Sequence, residues 1–126
     1  MRDEEYIPGT CNIGKKEVAK RRNSAIFLGV LTVVIVALLL LTHADKLWRF
    51  LVFFPIVSLV IGIEQWNFKF CVNFGMRGIF NFTDLGQYSS VEEAEMRKAD
   101  KRKAQKMILT GVLCGLIVTI LFYLVP

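Results

Sequence analysis

One histidine and three cysteines are all that this 126-residue chain offers to classical nucleophile or metal chemistry. They form no CxxC, HxxxH or HExxH spacing, so a structural metal centre from one chain is not expected, and a haem would lack a second histidine. Charge is missing over long stretches. Residues 24–42 carry none over 19 positions, residues 50–63 none over 14, and residues 107–126 none over 20. The usual mark of a proton relay or ion pathway, an ionisable group inside such a run, is therefore absent.

What is present is apolar surface. Hydrophobic residues make up 54% of the chain and its mean hydropathy is +0.47, well above a soluble domain of this size. The first and third runs each reach the roughly 20 residues needed to cross about 30 Å of hydrocarbon. The middle run is shorter, but Trp48 and Trp66 flank it. They stand about 27 Å apart along a helix, one indole for each interface, with Arg49 and Glu64 at the ends free to snorkel. These features predict an all-α membrane protein with three transmembrane helices, at 24–42, 48–66 and 107–125.

Basic residues orient the spans, because short cytoplasmic segments retain Lys and Arg. Residues 1–22 hold six of them and residues 64–106 hold eight, while the 43–49 loop holds only Lys46 and Arg49. The expected topology has a cytoplasmic amino terminus, an external loop, a cytoplasmic central segment and an external carboxyl terminus, in a bacterial inner membrane. The first run begins 23 residues in and ends in Leu-Thr-His-Ala-Asp without a small-x-small site, so it is expected to remain as an anchor. The net charge of +5 sits where topology requires it and has no recognition fold beside it, which points to anionic lipid headgroups rather than nucleic acid.

Within the expected single membrane domain, residues 1–14 read as an irregular lead with no core to bury, carrying Arg2, Asp3, Glu4 and Glu5. A helix is predicted from Lys15 to Thr42, with Glu17 and Arg21 as an exposed i,i+4 pair. Pro55 is expected to bend the second span. Ala25 and Gly29, Ser58 and Gly62, and Gly111 and Gly115 have the spacing that lets helices approach closely, within the chain first and between copies second. Segment 67–90 begins with five of the ten phenylalanines; its period fits strand or helix, and it is expected to lie aromatic side down at the cytoplasmic interface, with Lys69 and Arg77 toward headgroups. Ser90 and Glu93 have capping-box spacing, which predicts a helix from Val91 to about Leu124, with a Glu93–Arg97 pair and a cytoplasmic stalk over 91–106.

Cys114, in the middle of the third run, reads as a packing residue. Cys11 and Cys71 fall on the expected cytoplasmic side, each near bases, where a thiol can react, accept sulfur, carry a lipid or simply pack. No catalytic residue and no cofactor is expected.

Asn12-Ile13-Gly14, with Glu17 and Arg21 following, resembles the opening of a small bacterial membrane family of unknown function, known as the transmembrane anchor of a membrane-bound rhodanese. Phe70-Cys71, Phe74 and Gly78-Ile79 are similar to the pattern that follows its second span. The resemblance covers residues 12–81. The chain departs from the family in lacking a Pro after Cys71, in adding the third span and stalk, and in lacking a rhodanese domain. The resemblance implies a helical membrane module associated in some relatives with thiol or sulfur chemistry, with Cys71 the residue concerned. Together these features predict a non-enzymatic accessory or assembly subunit of a larger membrane complex. The alternatives are a protein handling sulfur or electrons through Cys71 with Cys11, or a homo-oligomeric channel.

Overall fold

The computed structural model describes residues 6–126. Its elements run α1 (Lys15–Leu41), a 3-10 helix (Lys46–Val52), α2 (Phe53–Phe68), α3 (Val72–Arg77), β1 (Ile79–Phe80), β2 (Ser89–Ser90) and α4 (Ala94–Leu124). Three helical stretches are long and apolar enough to cross a membrane: Lys15–Leu41, Lys46–Phe68 and Ala94–Leu124. Three such helices suggest a multi-pass membrane protein. The charges Arg2, Asp3, Glu4 and Glu5 lie outside the described residues.

The middle stretch reaches its length by changing winding. Asp45 caps the 3-10 helix by accepting from the Leu47 N–H at 3.1 Å, and α2 follows without a gap. At about 2.0 Å per residue in the first piece and 1.5 Å in the second, the two together reach about 38 Å. Pro55 is the third residue of α2, in the turn that follows this change of winding.

α2 lies between α1 and α4, which pack on it rather than on each other, so the three helices form an open layer and not a closed bundle. Small residues set the spacing. A Cβ on Gly62 would sit 3.5 Å from the Ala25 Cβ, and one on Gly29 would sit 3.8 Å from Leu59. On the other side a Cβ on Gly111 would come within 2.6 Å of Ile61, and one on Gly115 would collide with Val57. Ser58 is exposed and takes no part in these contacts.

The far end of the layer is closed by Arg49. It does not snorkel: only 7% of it is exposed, and its guanidinium stacks 4.9 Å from the Phe122 ring. Nη1 donates to the carbonyls of Phe122, at 2.9 Å, and Val125, at the end of α4, where Phe122 O also accepts the Val125 N–H. Glu64, at the other end, is half-buried.

α4 begins three residues later than the capping box predicts. Ser90 is held in a two-residue antiparallel ribbon, paired with Ile79, and Glu93 becomes the residue before the helix without a side-chain cap. Arg97 folds back to donate to the Val91 and Glu92 carbonyls at 2.8 and 2.7 Å, in place of the expected pair with Glu93. Residues 91–93 thus belong to the ribbon's exit rather than to a stalk.

Candidate functional site

The central feature is a polar cap where α2 ends and α4 begins. Lys69 ends α2 in a left-handed conformation, φ 55°, and this turns Phe70 inward against Ala104 and Met107. Phe70 is therefore core, not part of an aromatic face laid on an interface. Cys71 precedes α3, and Gly78, φ +70°, ends it and leads into β1.

Across this corner runs the amino-terminal strap, residues 6–14. It is irregular, as its sequence predicts, but it buries Asn12 and Ile13 almost completely, contrary to the expectation of a lead without a core. Asn12 brackets Cys71: its Oδ1 accepts from the Cys71 N–H at 2.7 Å, and its Nδ2 donates to the Cys71 carbonyl at 3.2 Å. The strap backbone adds Asn12 N–H to Lys69 O at 3.1 Å, Gly14 N–H to Asn81 O at 2.9 Å and Asn81 N–H to Asn12 O at 2.9 Å. A side-chain amide can replace a missing strand neighbour in this way because it presents an N–H donor and a carbonyl acceptor side by side in one plane.

The Cys71 sulfur also has a partner. Arg21 Nη2 lies 3.0 Å from Sγ and 3.0 Å from Glu17 Oε2, and the guanidinium stands 5.9 Å from the Phe74 ring. The Glu17–Arg21 pair is thus formed, but it is buried rather than exposed, with Glu17 only 3% accessible. Asn12, Glu17, Arg21, Cys71 and Phe74, separated by up to 62 positions, meet in one network. Cys71 itself is 2% exposed.

The strap's outer end is fastened to α4. Tyr6 donates to Asp100 Oδ2 at 2.5 Å, the Gly9 N–H donates to Oδ1 at 2.7 Å, and the Tyr6 ring stacks on Phe80 at 4.7 Å. Burial first, and then the hydrogen bond to Asp100 and its charge, push the Tyr6 phenol above its ordinary value. Asp100 is fully buried, so both carboxylate oxygens need these donors. Sequence reasoning missed both residues. The available signal was that Asp100 is the one acid in a run of bases from Arg97 to Lys106.

Cys114 lies on α4 among apolar residues, Cys11 is half-buried in the strap, and the three cysteines form no disulfide. Trp48 and Trp66 are both exposed. Among the described residues no group of His, Cys, Asp and Glu is placed to hold a metal ion. Chemically, the cap can hold a thiol against a guanidinium and can fasten three segments together. No protein-family model, curated protein or solved structure matches the chain.

Proposed function

We propose that the chain is a multi-pass protein of a bacterial inner membrane, with the cap cytoplasmic and the Arg49 end external, and that it serves as a non-enzymatic accessory subunit of a larger membrane complex. The observation that carries this reading is the open layer. Ala25 is the one buried residue in the uncharged run of α1, and Phe27, Val30 and Val33 are exposed beside it. Both flanks of α2's two neighbours are left to lipid or to partner helices. The topology rests on the excess of Lys and Arg at the cap.

Extraction of the native membrane in mild detergent, native gel separation and mass spectrometry test the subunit reading. Co-migration with larger subunits at fixed stoichiometry is expected; migration alone, or only as multiples of itself, overturns it.

A second reading is favoured by the 3.0 Å contact between Arg21 and the Cys71 sulfur: a thiol that receives or passes sulfur or electrons. This is also the direction in which the rhodanese-anchor resemblance points. It requires the strap to lift, since Cys71 is covered. Alkylation of Cys71 orders of magnitude faster than a free thiol at neutral pH would favour this reading, and slow labelling leaves Cys71 as the fastening of the cap.

A further inference from the structure

Where α1 passes from charged to uncharged sequence, it carries a groove of about 670 Å³ lined by Lys16, Lys20, Asn23, Phe27, Leu28 and Leu85. The α1 residues recur at intervals of three and four and so lie along one face. Lys20 is about 6 Å before Ser24, where the uncharged run begins, and Phe27 is about 4.5 Å beyond it. The groove is therefore cationic at one end and apolar at the other, with the transition at Asn23.

Its opposite wall is built by the loop between β1 and β2. Asn81 shapes that loop, donating from Nδ2 to the Asp84 carbonyl at 2.8 Å and accepting the Thr83 N–H at 2.9 Å. Lys16 then pairs with Asp84 and pins the loop to α1. The effect is to hold Leu85, 51% exposed, among the polar residues Thr83, Asp84, Gly86 and Gln87, on the same groove as Phe27, which is 65% exposed. An apolar side chain fixed in this position faces water unless an apolar ligand covers it.

Charge narrows the occupant. The hydrogen bond from Lys16, and then its charge, hold the Asp84 carboxyl below the usual carboxylate range, so it is ionised. Lys16 and Lys20 against Asp84 leave one uncompensated positive charge. That matches a monoanionic phosphodiester and gives no advantage to a zwitterionic headgroup.

We propose that this groove seats one anionic diacyl phospholipid, with its phosphodiester between Lys16 and Lys20, its ester region at Asn23, and an acyl chain along Phe27 and Leu28 beneath Leu85. The proposal rests on the membrane reading above and adds a defined site to it.

The test uses the full chain in mild detergent and native mass spectrometry with phosphatidylglycerol and phosphatidylethanolamine of identical acyl chains. One phosphatidylglycerol is expected to be retained in preference. Lys20→Gln should reduce that preference about fivefold, and Leu85→Ser should reduce retention of both lipids about threefold. Arg22→Gln, an equal charge change outside the groove, should have little effect. Equal retention of the two lipids, an equal loss in Arg22→Gln and Lys20→Gln, or displacement by glycerol phosphate without acyl chains overturns the proposal. Release of the chain from native membranes by alkaline carbonate without detergent would instead sink the membrane reading itself. Firm insertion without lipid preference sinks only the groove.

Discussion

The apolar layer and the polar cap are held together by opposite means. In the layer, contacts between α1, α2 and α4 are made by what is missing: Gly62, Gly111 and Gly115 remove side chains so that backbones and neighbours fill the space. In the cap, contacts are made by specific polar groups that span long stretches of sequence, 59 residues from Asn12 to Cys71 and 94 from Tyr6 to Asp100. The first kind of contact tolerates sliding, because dispersion is non-directional; the second fixes register, because a displaced amide or carboxylate is left unsatisfied. The cap therefore decides how the three helices are aligned.

Removing the bracket should break the cap more severely than any single change breaks the layer. Asn12→Ala removes both bonds to Cys71 and leaves its buried N–H without a partner, while the carbonyl keeps the Gly75 N–H; the expected loss is about 3 kcal/mol. Thermal unfolding in detergent should report this as a lower transition temperature, accompanied by faster alkylation of Cys71. An unchanged alkylation rate would mean that the strap does not cover the thiol.

Gly115→Leu attacks the layer instead. The new side chain meets Val57 and Phe53 and should cost about 2 kcal/mol. It should leave Cys71 protected, and that separates the two regions. Simultaneous exposure of Cys71 would show that layer and cap unfold as one unit.

Tyr6→Phe retains the ring on Phe80 but removes the hydroxyl donor to Asp100, for an expected loss of about 1.5 kcal/mol. Because the folded Tyr6 value is raised, its contribution is complete below the ordinary phenol value of 10.0 and is lost only as pH rises above it. Unfolding measured across neutral and alkaline pH should show the wild-type advantage over Tyr6→Phe constant until that range and then falling.

The smallest effect belongs to Lys16 and Asp84 on the surface. The folded Asp84 value lies below the ordinary 3.8, so the pairing is present above that pH and is lost as pH falls through the lower, folded value. Lys16→Gln should abolish this acid dependence with little change at neutral pH.

The two outer helices of the layer were legible in the sequence because composition alone specifies them, and the middle one needed Trp48 and Trp66 as well. Nineteen or twenty positions without a charge announce an apolar helix whatever its neighbours are. The cap was not, because its bonds join side chains to distant backbone groups, and no local pattern records such a partner. Glu17 and Arg21 were recognisable as a pair, but their burial depends on Cys71 arriving from 50 residues away. Ser90 and Glu93 have the right spacing for a cap, yet Ser90 is claimed by Ile79 first. Arg49 shows the same limit in the layer: its place near an interface was readable, whereas the carbonyls that it satisfies lie more than 70 positions later.

The fastening of the strap also imposes a timetable. A ribosome adding roughly 5–20 residues per second delivers Asp100 about 5–20 s after Tyr6, a separation of 94 residues. Throughout that interval Asn12, and later Cys71, are made before the residue that anchors the strap's outer end. The region that is most completely covered in the finished protein is thus the one that stays open longest during its synthesis.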